Sequence, residues 1–360
     1  MMAAQSSLCP TAARERGVVA IQVAIFLVVL LGFAALAIDI ARVLVVRNEL
    51  QNAADAAALA GAGALSGSLT VNASSSVWTA ADAAAKVAAQ SVIAKNHADG
   101  VLLVDAAVDT GYWNVTGTPA GLQSSATKPA QYDKPAVRVT VQRATGSNGG
   151  PLKTMLAPLL GVPSLPVSAT AVAAISAPGY AGVGSLFPMV ISKCLLSDPN
   201  YWNQTTGLPV DDATGRPKEL SIDSSYHADD GCTFGQWTSF NLDTNDVPTI
   251  DGLMQHGNST PLSVGDNTWI EPGTKTSIYN HMTDYISLPA QVLLPVVADL
   301  TTHAAAPIIG FVAFQIDASV GGSGKYIQGH FLGGLKAQGT AGGSRSAPYY
   351  GAYTPAGLVQ

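Results

Sequence analysis

Charge is what this sequence has least of. Only 12% of its 360 residues are Asp, Glu, Lys or Arg, beside 48% hydrophobic, whereas a soluble domain usually carries about 25% charged residues. An apolar environment is therefore expected to receive part of the chain. The 18 Lys and Arg face 24 Asp and Glu, for a formal charge of −6, and no run of five or six like charges occurs. Binding to nucleic acid needs clustered cations against phosphates, so no nucleic acid is expected as a partner. Three cysteines, Cys9, Cys194 and Cys232, exclude a dense disulfide scaffold, and the lack of any C-x-x-C pair excludes an ordinary structural zinc site. Also missing are H-E-x-x-H, G-x-S-x-G, a Walker loop and a dinucleotide fingerprint. The expectation is a protein without a cofactor that is not an enzyme.

What is present is concentrated near the start. Val18 to Ile38 reads VVAIQVAIFLVVLLGFAALAI, without a charge and with Gln22 as its polar side chain and Gly32 near its middle. A helix rising about 1.5 Å per residue over this stretch covers the ~30 Å hydrocarbon core. A transmembrane helix is the first reading. A cleaved secretory signal competes with it, using Arg14 and Arg16 as its basic region and Ala35-Leu36-Ala37 as its cleavage site, although its apolar region would exceed the usual length of about 7 to 15 residues. Arg14 and Arg16 before the span balance Arg42 and Arg47 after it, so the cation count leaves orientation tied. Cys9 precedes the hydrophobic segment and reads as an incidental thiol of the tail.

Beyond Ile38 the residues DIARVLVVRNELQNAADAAALAGAGAL contain no proline, and no glycine before Gly61. This favours one helix continuing to Leu65, a rod of about 72 Å. Its outer half turns into an alanine surface marked by Gln51, Asn52, Ala53, Ala54, Asp55, Ala57, Ala58 and Gly61. Small residues let other backbones approach closely, as at packed helix interfaces. Both partner helices and the protein's own domain are open as occupants of that surface.

The run from Arg14 to Leu65, with Glu-Arg-Gly before the span, Ala-Ile-Asp after it and the Leu50–Gly61 block, resembles the N-terminal segment of TadG-like proteins of the tight-adherence (Tad, or Flp) pilus assembly system. The resemblance implies a single-pass protein of the bacterial inner membrane, with residues 1–17 as a cytoplasmic tail and a periplasmic body. It implies a structural or assembly role in a Tad/Flp-type pilus or related secretion apparatus. The partners implied are the lipid bilayer and other pilus-assembly proteins or pilin-like subunits, with homo-oligomerisation open. Pilin-like precursors are cleaved after a glycine and carry Glu at the fifth mature position. Here Gly17 is followed at that position by Gln22, a departure that favours an uncut signal anchor. The reading from another class is a secreted or surface-anchored hydrolase, adhesin or binding module with a cleaved signal peptide.

The body reads as α+β. Residues 66–178 carry a helix within Val77–Val92, strands at Val101–Val115, Pro135–Arg143 and Leu165–Ile175, and a short helix near Thr154–Leu160. Val137, Val139 and Val141 alternate with Arg138, Thr140 and Gln142, which predicts one wet face. Ala177-Pro178-Gly179 marks a boundary. Residues 179–335 are expected to be mostly β with long loops, including Leu186–Ser192 and Pro307–Asp317, and residues 336–360 to be a flexible tail. In an oxidising periplasm Cys194 and Cys232 are expected to form a disulfide.

Candidate chemistry is sparse. Asp317-Ala318-Ser319 follows a strand-like run but ends in Gly321 where a von Willebrand A-type metal motif has Ser, so it lacks one hard oxygen ligand. Asp243, Asn245, Asp246 and Asp251 lack EF-hand spacing, and a solvated loop is expected there. His97 has no ligand partner nearby, and His227 with Asp229 makes a triad only by assumption. Tyr201, Trp202, Trp237, Phe240 and Trp269 fit a contact surface as well as a β core, and core is expected.

Overall fold

In the computed structural model, residues 16–65, 75–126, 132–204, 206–223, 234–272, 276–301, 303–342 and 347–360 are described. The expected rod is one unbroken helix, α1, Arg16–Leu65, of 50 residues. A second helix, α2, Ser75–Ile93, lies against its outer half. On α1, Val46, Leu50, Ala53, Ala54, Ala57, Ala58, Ala62 and Leu65 are buried, with Gly61 on the same side. This three-and-four spacing is the periodicity of a single helical stripe. On α2 the buried line is Ala81, Ala85, Ala89 and Ile93. Val87 is 71% exposed, because the alanine line lies on the other side of the helix.

The stripe covers an antiparallel sheet formed by β1, Ala107–Asn114, β2, Leu122–Ser124, β3, Asp133–Arg143, and β4, Val167–Ala174. Val137, Val139 and Val141 of β3 point into the core, Arg138 and Thr140 are half-buried, and Gln142 is exposed, as the alternation predicts. Register is continuous from Ala136 opposite Ala174 to Arg143 opposite Val167. The 18–65 helix is thus not separate from the 66–178 domain: its outer half is one wall of that domain's core.

The second unit is β-rich, as expected. Its strands are β5, Met189–Ser192, β6, Leu220–Ile222, β7, Gly235–Phe240, β8, Asn267–Ile270, β9, Ala290–Val297, β10, Ala304–Val320, and β11, Tyr326–Phe331. They run in the order β6-β11-β10-β8-β7-β5-β9, and β9 pairs again with β10, closing the sheet on itself. Strand β10 makes this possible by its length. Its first residues pair with β8, its middle with β9, and its end with β11. Besides the single turn Lys193–Ser197, two longer helices interrupt the expected run of strands and loops: α3, Val247–His256, and α4, Thr276–Tyr285. Asp246 caps α3 by accepting from the Thr249 amide at 2.8 Å, and Ile250, Leu253 and Met254 form its buried face.

The described residues of the 336–360 segment, 336–342 and 347–360, are not a flexible tail. They run back along the molecule to the first sheet, where a last strand, β12, Gly357–Leu358, pairs antiparallel with β4. The sheet order is β12-β4-β3-β1-β2. On the way, Thr354 donates its amide to Ser176 O at 2.8 Å. Tyr349 and Tyr353 enter the first core with ring centroids 4.6 Å apart. Burial pushes both phenols well above their ordinary range. The glycines and proline that read as disorder serve instead as turns between buried aromatics. Gly351, at φ +80°, is one of them: a Cβ there would lie 1.8 Å from Leu332 O.

Because Tyr353 is fully buried, removing an aromatic side chain of that size is expected to cost about 3–5 kcal/mol. Tyr353→Ala should lower the denaturation midpoint of the purified full-length protein accordingly. An unchanged midpoint would show that the C-terminal strap adds nothing to the first core.

Candidate membrane anchor and its junction with the body

From Val19 to Ile38 every side chain of α1 is exposed except that of Ala35, which is half-buried. Phe26 and Phe33 reach 68% exposure. Among the described residues, α1 is the one helix long and apolar enough to cross a membrane. Gln22 lies within the exposed segment, a Cβ on Gly32 would meet nothing within 4 Å, and Gly17 lies in the first turn of the helix. The side chain of Val18 lies outside the described residues. A surface this apolar is unstable in water and stable in lipid, and the internal bonding of a helix satisfies its backbone there.

Past Ile38 one side of α1 becomes covered, beginning at Asp39, while Ile40, Leu44 and Val45 on the other side stay exposed and the buried stripe starts at Val46. Asp39 is buried and accepts three backbone amides, from Met155 at 2.7 Å, Leu156 at 3.0 Å and Ala157 at 2.7 Å. These amides open a 3-10 turn, Ala157–Leu160, that ends at Gly161 with φ +81°. The short helix read from Thr154–Leu160 is therefore present, in the tighter form. The Met155 bond first, then the others and nearby Arg42, hold the Asp39 carboxyl below its ordinary value of 3.8.

One turn on, Arg42 makes a forked pair with Asp99. Its Nη2 lies 2.9 Å from Oδ2 and its Nε 3.1 Å from Oδ1. Planar guanidinium and carboxylate match in this geometry, which fixes orientation as well as charge. Asp99 and Gly100 form the two-residue turn of a hairpin, both with positive φ, as a type I′ turn requires. Glu49 accepts the Asp99 amide at 2.7 Å, and buried Arg143 of β3 reaches Asp99 at 3.3 Å and Ala98 O at 3.2 Å. Three residues of α1, Asp39, Arg42 and Glu49, thus tie the helix to two loops of the body. From the sequence, Arg42 entered only the topology count and Asp39 only a family motif. The signal available was a pair of opposite charges three residues apart where the apolar run ends.

The proposed helix-packing residues divide. Ala53, Ala54, Ala57, Ala58 and Gly61 are buried against α2, β3 and β4, so their surface is occupied by the protein's own domain. Packing of that face beside partner helices is corrected on this observation. Gln51 donates to Asp55 Oδ1 at 2.7 Å and to Thr170 O of β4 at 3.3 Å, while Asn52 is exposed. Gly61 shows why small residues are needed: a Cβ there would lie 3.0 Å from Val137 Cγ1 and 3.3 Å from Ala85 O.

The other candidates are spent on the fold. Asp317 pairs with His330 at 2.8 Å and with Gln315 at 2.8 Å, and Ser319 donates to Tyr279 O. Asn245 accepts from the Trp269 indole, and Asp251 lies 3.3 Å from the Tyr285 hydroxyl. Trp202, Trp237 and Phe240 are core residues. His97 opens the small hairpin and is exposed. Cys194 is disulfide-bonded, whereas Cys9, Cys232, His227 and Asp229 lie outside the described residues. A polar cleft between Gly184–Phe187 and Met254–Gly257 has His256 as the only titratable side chain in its lining.

Residues 17–64 match a family described as Flp pilus-assembly TadE/G-like, and residues 60–173 match one described as Tad-like Flp pilus-assembly. The matches meet at the end of α1 and run to the last residues of β4. Neither is an enzymatic family. No curated protein and no solved structure matches the chain.

Two outcomes are expected from this geometry. Gly61→Val should destabilise the protein by about 1–3 kcal/mol through overpacking. Gly63→Ala, where a Cβ meets nothing within 4 Å, should be neutral or gain up to about 1 kcal/mol; denaturation in detergent compares the two. Asp39→Asn keeps one oxygen but turns an amino group toward donors, so the Met155–Ala157 amides should exchange hydrogen faster than in the parent. A depressed carboxyl stabilises fully above its unfolded value of 3.8 and loses that effect as pH falls through the lower folded value. Protection of these amides, corrected for intrinsic rates, should therefore drop in acid in the parent and show no such step in the variant.

Proposed function

Residues 17–173 make this chain a Tad/Flp pilus-assembly protein of the TadG-like kind, and from that premise we propose that it is a non-enzymatic, single-pass scaffold of the bacterial inner membrane. Its N-terminus lies in the cytoplasm and its body in the periplasm. The observation that carries the reading is the continuity of α1. A 50-residue helix extends about 75 Å, and the part lying in lipid and the part forming the body's core are one rigid element. Force on the body is therefore transmitted to the membrane without a flexible joint, and back again. Asp39, Arg42 and Glu49 brace the point where the lever arm leaves the bilayer.

In this role the body meets other pilus-assembly proteins or pilin-like subunits, or a second copy of itself, on surfaces outside the alanine seam. The helix is retained as an uncut signal anchor instead of being cleaved after Gly17. Cys194 pairs with Cys232, which fits an oxidising compartment.

Alkaline carbonate should leave the native protein in the membrane pellet, and a periplasm-dependent reporter fused after Gln360 should be active. Intact mass should show a chain that still carries the residues before Gly17. Release into the supernatant with a chain beginning near Ile38 would replace the scaffold with the secreted hydrolase or binding module. A cytosolic reporter signal would reverse the orientation.

A further inference from the structure

We infer that the segment Thr154–Leu165 is a second membrane contact, an apolar wedge seated in the interfacial layer of the bilayer beside the point where α1 emerges. The inference rests on the reading of α1 as a membrane anchor, and three observations carry it.

The first is position. Asp39 follows directly on the Val18–Ile38 run, and its carboxylate holds Met155, Leu156 and Ala157 at that height. Ala35, one turn nearer the membrane, is the residue of the exposed segment that is partly covered. The loop therefore sits level with the end of the span.

The second is what the loop shows to its surroundings. Met155 is 64% exposed, and Leu156, Val162 and Leu165 are exposed as well. Ile40, Leu44 and Val45 of α1, also exposed, point at least about 100° away from Asp39 by helical periodicity. The apolar surface of the span thus continues past Ile38 on both sides of the junction. Exposed Lys153, just before the wedge, supplies a cation of the kind that meets headgroup phosphates.

The third is the backbone. Peptide groups entering an interface must be satisfied internally. Here the amides of Met155, Leu156 and Ala157 go to Asp39, the Thr154 amide to Pro163 O at 3.2 Å, the Gly161 amide to Pro158 O at 3.0 Å, and the Val162 amide to Ala157 O at 3.0 Å. The Thr154 hydroxyl donates to Val162 O at 2.6 Å. Pro158, Pro163 and Pro166 have no amide to satisfy. The named amides are bonded within the protein while Met155, Leu156, Val162 and Leu165 show apolar side chains to the surroundings, an arrangement suited to lying against lipid.

The test uses the full-length protein with Cys9→Ser, reconstituted into vesicles of phosphatidylcholine and phosphatidylglycerol. Met155→Cys, Val162→Cys, Ile25→Cys and Val87→Cys are labelled in turn, without reductant, with an environment-sensitive fluorophore, and the parent measures background. Val87 is the aqueous control: α2 packs on α1 around Gly61, about 33 Å along the helix from Asp39. In vesicles carrying a nitroxide high on the acyl chain, the labels at 155, 162 and 25 should lose most of their emission, and the label at 87 should keep it. Quenching at 25 without quenching at 155 and 162 overturns the wedge and leaves the anchor standing. Quenching at neither 25 nor 155 overturns both. Emission at 155 that ignores the nitroxide but rises when labelled protein is diluted with unlabelled protein overturns the wedge in favour of a second copy covering the loop.

Discussion

The structure depends on one helix meeting two incompatible surroundings along its length. Over Val19–Ile38 its side chains are large, apolar and exposed. Over Val46–Leu65 they are mostly alanine and buried. Lipid tails fill the spaces around big side chains, whereas a β-sheet can cover a helix closely only where its side chains are short. Alanine at 53, 54, 57 and 58 with glycine at 61 brings the α1 backbone near β3, β4 and α2 at once. Each alanine buries little area. The gain comes from many close contacts among groups that lose almost no side-chain entropy.

Polar groups mark the change of surroundings on the side of α1 that faces the body. Buried Asp39 answers three amides, and Arg42 binds a turn whose backbone only Asp-Gly or a similar pair accepts readily. The same turn is held from the other side by Arg143. At this boundary Asp39, Arg42, Glu49 and Arg143 each find partners within the protein. At the opposite edge of the sheet, the C-terminal segment returns from the β unit and adds a strand beside β4. The two units are joined by the crossing at residues 175–180 and by this return, which limits how far either can swing.

Among the described residues, the polar side chains that the sequence offered for chemistry are engaged in holding the fold. Asp317, Ser319, His330, Asn245 and Asp246 each hold a strand, a cap or a ring in place.

Much of the architecture was legible in residue order. The apolar run, the absence of helix breakers through Leu65, the alternation in β3 and the strand signals at β4, β5 and β10 all express local periodicity, which short stretches of chain carry by themselves. The short helices α3 and α4 carried the same periodicity over only two or three turns, among glycines and asparagines that read as loop. The C-terminal strap was misread because proline and glycine mark turns and disorder alike, and only Tyr349 and Tyr353 finding a core separates the two. Residue order alone thus determined a long helix whose first half is apolar enough to cross a membrane and whose second half continues beyond it, since hydrophobic length and helix propensity are properties of a segment. Which surface the alanine stripe serves, what Asp39 and Arg42 grip, and where the last residues go were decided by contacts between separate elements of the chain, and such contacts exist only once the backbone has brought them together.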